Sequence, residues 1–236
     1  LFVMISCGYA SFAAVQTLWA SPYLADVHGL GLTARGNVLL GITGGQVVGL
    51  LTWGYAERVF GSIKKPIMAG AVLSAAILAL LGILDAPPLW LVTVLFVVFG
   101  LNAGYTPLLL AHGRLVFPDR LAGRGITLLN FGNMAGVFVL QALTGALIGQ
   151  MQRAGIAMEL GYRATFGALA FVLLAALAYY ATIPDTNSRA VIDGYLRHNG
   201  ARQEKKLSEQ FPRRTPARTG IIWRQHTLVP SSHPAI

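Results

Sequence analysis

The chain has 236 residues, 55% of them hydrophobic and only 11% charged, with 18 Lys and Arg against 9 Asp and Glu for a formal net charge of +9. Ordinary soluble domains carry about 25% charged residues, so the composition excludes a water-soluble globule and leaves no room for a large soluble catalytic domain. An excess of base suggests nucleic acid in a soluble protein, but here the base sits in short interruptions between apolar runs, so a lipid bilayer is the expected partner and nucleic acid is not.

Six stretches lack Asp, Glu, Lys and Arg altogether: Leu1 to Ala25, Gly36 to Ala56, Pro66 to Leu84, Ala86 to Gly113, Gly125 to Gln152 and Ala164 to Pro184. A bilayer core of about 30 Å takes roughly 20 apolar residues per helix. The pattern therefore predicts an all-α polytopic membrane protein, with six transmembrane helices in residues 1–184 and a basic tail in 185–236.

The first stretch is too rich in Gln16, Trp19 and Tyr23 for a secretory signal, and no basic segment precedes it, so a retained helix is expected. Because the chain begins with Leu, it reads as a fragment whose upstream part is missing. Tyr9, Phe12, Gln16, Trp19 and Tyr23 fall at steps of three and four, on one helical stripe. Cys7, the single cysteine, provides neither a disulfide nor a thiolate metal site. No metal or other cofactor is expected.

Span two repeats Gly41, Gly45 and Gly49 every four residues, a spacing that lets helix backbones approach closely. Span three has Ser74 as its one clearly polar side chain over most of its length and reads as lipid-facing. Span four carries a second polar stripe, Asn102, Tyr105, Leu109 and His112, together with Gly100, Gly104 and Pro107. Pro107 bends this helix as part of a gate or is tolerated near a helix end, and both readings stand. Span five returns to glycine pairs, Gly132 with Gly136 and Gly145 with Gly149, and span six is featureless between polar ends. Gln46, Asn130, Asn133 and Gln141 are available for hydrogen bonds between helices. Lipid cannot satisfy an amide or an imidazole, so the two polar stripes face either a wet cavity or neighbouring helices.

The three helix characters recur in the same order: polar-aromatic, glycine-rich, featureless. Three crossings is an odd number, so two such units in one chain run in opposite topology, an inverted repeat of the kind secondary transporters use. Basic residues alternate between loops, with Arg58, Lys64 and Lys65 after span two, Arg114, Arg120 and Arg124 after span four, and nine more in the tail. The intervening loops hold Arg35, then none, then Arg153 and Arg163. The positive-inside bias therefore places both termini in the cytoplasm, and the expected location is the cell inner membrane. The tail, with Pro212, Pro216, Pro230 and Pro234, reads as mostly disordered; Ala190 to Leu196 suits a short helix, and Ile221, Ile222 and Trp223 suit contact with anionic lipid.

The loop Gly54, Glu57, Arg58, Gly61, Lys64, Lys65 resembles the cytoplasmic signature of the major facilitator superfamily, between the second and third helices of a six-helix half. It departs from that pattern in register, the acid lying three rather than four residues after Gly54. Phe117, Pro118, Asp119, Arg120, Gly123 and Arg124 are similar to the family's stretch before its eleventh helix, and the run from Gln16 to Leu30 is similar to its bacterial members. The resemblance covers residues 1 to 184 and implies a C-terminal half, with a missing N-terminal six-helix half as partner. It implies secondary active transport of a small-molecule or ion substrate by alternating access. It also makes Gln16, Trp19, Tyr23, Asn102 and Tyr105 substrate-pathway candidates and Glu57, Arg58, Lys64 and Lys65 gating-loop candidates. Gly41, Gly45, Gly49, Gly132 and Gly136 are helix-packing candidates from their spacing.

Asp26, Glu57, Asp85, Asp119 and Glu159 all lie at or beyond span edges, so a buried coupling carboxylate is expected in the missing half. His112 near Arg114 reads as a structural hydrogen bonder. An enzyme is not expected, since one His, one Cys and no acid within the spans make no catalytic constellation. The remaining alternative is a membrane assembly or binding subunit that does not itself transport.

Overall fold

A computed structural model describes residues 1–55 and 59–183. Glu57 and Arg58, the expected tail 185–236 and the short helix and lipid contact expected within it lie outside the described residues. Six helices follow one another: α1 (Phe2–Asp26), α2 (Leu32–Trp53), α3 (Lys64–Ile83), α4 (Leu89–Val116), α5 (Ala122–Arg153) and α6 (Met158–Ala181). The described residues contain no strand. Five helices are long and apolar enough to cross a membrane. α2, with 22 residues and a length of about 33 Å, matches them in reach. Its five glycines, with Arg35, Asn37 and Gln46, dilute its apolar character.

Most helices extend beyond the charge-free runs, because a helix continues into the polar interface after the hydrocarbon ends. α5 has 32 residues, about 48 Å of helix against about 30 Å of hydrocarbon. The turns between helices are closed by backbone chemistry. Gly29 takes φ 63°, and the N–H of Leu30 reaches back to Leu24 O at 3.1 Å, a left-handed glycine cap that ends α1. Gly155, at φ 71°, ends α5 in the same way, with Ile156 N–H donating to Met151 O at 3.0 Å. Pro88 enters α4 in extended conformation, and the Ser62 hydroxyl accepts from the backbone N–H groups of Lys64 and Lys65 at the start of α3.

Two helices are irregular inside. α1 contains a π turn over Ala14–Trp19. α4 passes through a 3₁₀ turn, Ala103–Tyr105, immediately before Pro107. Proline offers no N–H to the carbonyl four residues back, and the Thr106 hydroxyl donates to that carbonyl, Ala103 O, at 2.9 Å.

The most extensive contacts pair α1 with α5, α2 with α4, and α3 with α6. Exchanging α1 with α4, α2 with α5 and α3 with α6 maps this set of pairs onto itself, the arrangement two inverted three-helix repeats produce. The first two pairs meet backbone to backbone. A Cβ on Gly45 would stand 2.7 Å from Val97 O, one on Gly49 would overlap Leu101 O, and one on Gly100 would overlap Ile42 O. Gly41 faces the Val97 side chain, Gly132 faces the Phe2 ring, and Gly136 lies against the backbone of Ser6. Gly145 and Gly149 share the four-residue spacing but meet nothing within 4 Å, so the expectation of packing there is corrected: spacing identifies a small-residue face without specifying which face has a neighbour.

The third pair is pinned by charge at both ends. At the α6 start, Arg163 donates to Asp85 at 2.9 Å, to Ile83 O at 2.8 Å and to Gly82 O at 3.3 Å. At the other end Lys64 Nζ donates to Ala181 O at 2.8 Å and to Ile183 O. α3 and α6 therefore run antiparallel.

Candidate functional site

Four helices share a concavity of about 240 Å³. α1 supplies Ile5 and Tyr9, α2 Gln46 and Leu50, α4 Thr106, Pro107, Leu109 and Leu110, and α5 Asn133. All of them lie in the helix halves next to the basic loops 54–63 and 117–121. No Asp, Glu, Lys, Arg or His lines it. The volume falls below the 300–1,000 Å³ or so typical of a complete small-molecule pocket.

Near the middle of α1, α2 and α5, beyond the recess, side chains bridge the helices. Gln16 Nε2 donates to Thr43 Oγ1 at 3.1 Å, joining α1 to α2. Gln141 Nε2 donates to Thr17 Oγ1 at 2.9 Å, joining α5 to α1. α1 is thus tied to both neighbours at the π turn, and the concavity opens on the other side of it.

The five pathway candidates do not share one surface. Gln16 is partly exposed at the bridge just described. Trp19 is buried and donates Nε1–H to Thr144 Oγ1 at 2.9 Å. Tyr23 is buried among rings, edge-on to Phe166 at 5.3 Å, Tyr162 at 5.5 Å and Phe96 at 6.1 Å. Asn102 is buried and donates to Gly70 O and Ser74 Oγ, each at 2.7 Å, tying α4 to α3. Tyr105 is buried against Gly70 and Gly8.

The π turn explains why the α1 stripe divides. A π turn carries an extra residue, so positions beyond it are rotated by about 100° relative to a straight helix. Tyr9, before it, reaches the concavity; Trp19 and Tyr23, at its end and beyond, turn into the bundle. Of the gating-loop candidates, Lys64 binds the α6 C-terminus as above, with its Nζ 6.0 Å over the Tyr180 ring, and Lys65 is exposed. Tyr180 in turn meets buried His112 Nδ1 at 2.6 Å, which joins α4 to the same cluster.

Gln46 and Asn133, by their positions available for hydrogen bonds between helices, both line the concavity and make no hydrogen bond among the described residues. Asn133 Oδ1 is buried and without a partner. Their phase relative to the glycine faces carried the signal: Gln46 follows Gly45 and Asn133 follows Gly132, one step round the helix from each packed seam. At the opposite edge of the bundle, burial pulls the His28 imidazole below its ordinary pKa, with Glu159 acting in the other direction.

Membrane-length helices in two exchanged triplets, with an uncharged recess at one end of a shared face, define a multi-pass helical membrane protein. The family model of the Major Facilitator Superfamily matches residues 1–229, and the chain belongs to that superfamily. Its fold is similar to the inward open conformation of the xylose transporter XylE from E. coli, with a TM-score of 0.65 and 16% sequence identity over 89% of this chain. The chain spans about half of that structure, 55% of its length. No curated protein matches significantly.

Proposed function

We propose that this chain is one half of a secondary active transporter that moves a small solute across the cytoplasmic membrane by alternating access. The observation that carries the reading is the asymmetry of the α1, α2, α5 face, recessed at Tyr9, Gln46 and Asn133 and bridged at Gln16 and Thr17. A half-site recessed on one side of a mid-helix bridge fits one conformation of an alternating-access cycle. Substrate-pathway roles then divide: Gln16 lines the path beside Tyr9, Gln46 and Asn133, while Trp19, Tyr23, Asn102 and Tyr105 position the helices from behind it.

The missing partner is a second six-helix half. α5 supports this, because far less of it is buried than of α3, although both are apolar. Leu128, Phe131, Met134 and Phe138 on α5, with Leu40, Val47 and Leu51 on α2, form the exposed apolar faces that a second half would cover. Glu57, Arg58, Lys64 and Lys65 form the gating loop on the cytoplasmic side, with both termini and the tail 185–236 on that side too.

Two measurements test the reading. Impermeant thiol labels on Lys64→Cys and Asp85→Cys, in a Cys7→Ser background, should react from opposite sides of the membrane, with Lys64→Cys cytoplasmic. Reconstitution with the complementary half should give solute counterflow that neither half gives alone. Same-side labelling would remove the topology. Stable six-helix chain that never yields counterflow with any second half would favour a non-transporting assembly subunit.

A further inference from the structure

Two turns at the edge away from the recess are built alike and differ in one side chain. Gly29, at φ 63°, closes α1 with Gly29 N–H on Ala25 O at 2.9 Å and Leu30 N–H on Leu24 O at 3.1 Å. Gly155, at φ 71°, closes α5 with a similar pair, Gly155 N–H on Gln152 O and Ile156 N–H on Met151 O, each at 3.0 Å. His28 precedes the first glycine where Ala154 precedes the second. The half-buried His28 ring stands edge-on to Tyr23 with 5.5 Å between centroids, and Tyr23 stands in the same way on Tyr162 of α6. His28 Nε2 is shielded from solvent and meets no hydrogen-bond partner among the described residues. A neutral imidazole tolerates one such nitrogen. An imidazolium has two N–H donors, and in the docked ring one of them is buried without an acceptor, so this position resists a proton.

We propose that the turn 27–31 is an acid-released latch: neutral His28 docks on Tyr23 and fixes the joined ends of α1 and α2, and the protonated ring leaves, swinging about Gly29 toward the carboxylates of that edge. The charged and titratable groups around it are Tyr23 and Asp26 on α1, Arg35 in the first turn of α2, and Glu159, Tyr162 and Arg163 on α6. Arg163 is held by Asp85 and the α3 carbonyls. Asp26 accepts from the Tyr162 hydroxyl at 2.5 Å and Glu159 from Ala86 N–H at 3.1 Å. Each carboxylate has lone pairs to spare beyond these bonds, so an imidazolium finds acceptors outside the docked position and none within it. The undocked turn takes the proton more readily, because burial disfavours it in the docked ring more than Glu159 favours it, and docking is full above pH 6.5 and falls away below it. The turn joins the two helices that Gln16 and Thr43 bridge, so its release loosens the bundle on the side away from the recess. The latch adds regulation to the transport reading without depending on it.

Hydrogen–deuterium exchange of the whole chain in nanodiscs, read by mass spectrometry at about pH 7.5 and about pH 5 and normalised to the intrinsic exchange rate at each, tests the latch. Protection of the segment 27–31 should fall by about threefold at the lower pH, while that of the segment 154–157, the same kind of turn without a histidine, stays level. His28→Phe keeps a ring on Tyr23 that takes no proton, and His28→Gln takes none either. In both variants the protection of 27–31 should be equal at the two pH values, and higher in His28→Phe than in His28→Gln. Equal loss at both turns would assign the effect to general loosening in acid and overturn the proposal. Flat protection of 27–31 in the unsubstituted chain would overturn it too, as would an acid loss that persists in either variant with helical circular dichroism intact. The measurement needs neither a second half nor a solute, so absent counterflow would remove the transport reading and leave the latch, and flat protection beside intact counterflow would remove the latch alone.

Discussion

The α2–α4 seam and the α3–α6 seam are equally extensive but differ in how their ends are held. The first is uncharged, and its helices come close enough for Gly45, Gly49, Gly100 and Gly104 to touch backbone. The second also brings backbone close at Gly82, where a Cβ would stand 3.0 Å from Arg163 O, but fixes both ends with cations, Lys64 on the α6 carbonyls and Arg163 on Asp85 and the α3 carbonyls. The uncharged seam borders the recess and the charged one lies behind it. Charge is kept where it can reach water at a helix end, and shape alone is used where a solute would pass.

Breaking the first seam should have the largest effect. Gly49→Leu or Gly136→Leu places a side chain into backbone, and with no flexible neighbour to yield the loss should reach about 3 kcal/mol or prevent helix pairing. Thermal unfolding in detergent reads it directly. Gly145→Ala, at the same spacing but in open space, should leave the midpoint unchanged or raise it. Equal loss at Gly145 and Gly49 would end the argument from close approach.

Asn102→Leu comes next. It removes both donations to Gly70 O and Ser74 Oγ between α4 and α3, for a loss of about 1–2 kcal/mol. Unchanged stability would show that the two helices are held by apolar contact alone. Arg163→Met should cost about 1 kcal/mol, mostly through the Ile83 and Gly82 carbonyls, because Asp85 is 83% exposed and the ion pair is screened. Asp85→Asn should therefore be nearly silent in the same melt, and a larger loss from Asp85→Asn than from Arg163→Met would reverse this ranking.

Ala86 sharpens the contrast from the other direction. It holds φ 45° while donating its N–H to Glu159, so Ala86→Gly relieves the left-handed strain and should stabilise by about 0.5–1 kcal/mol. The smallest effect is in pH. The folded state holds the His28 pKa below 6.5, so the unfolded chain binds the proton more readily, and stability should be full above pH 6.5 and decline as pH falls below it. His28→Gln should flatten that decline, and a melt that keeps its full acid slope in the variant would assign the slope elsewhere.

The fold was legible in the sequence because hydrocarbon imposes length and removes charge, and these leave marks on every span. The inverted repeat was legible through helix character, and the seams through Gly41, Gly45, Gly49, Gly132 and Gly136. The site was only partly so. Periodicity presumes a straight helix, and the π turn over Ala14–Trp19 broke that assumption for Trp19 and Tyr23. Asn133 and Gln46 escaped because an amide that ties helices and one that faces a recess have the same spacing, and only three-dimensional neighbours distinguish them. Gly145 and Gly149 made the converse point: residues suited to close approach lay where nothing approached.

In α4 the carbonyl that Pro107 cannot serve, Ala103 O, is met twice by the residue before the proline, by the Thr106 backbone N–H and by its hydroxyl. A proline break that would strand a carbonyl in hydrocarbon is thus absorbed by tightening one turn, and the segments Leu89–Asn102 and Thr106–Val116 stay joined through a main-chain bond.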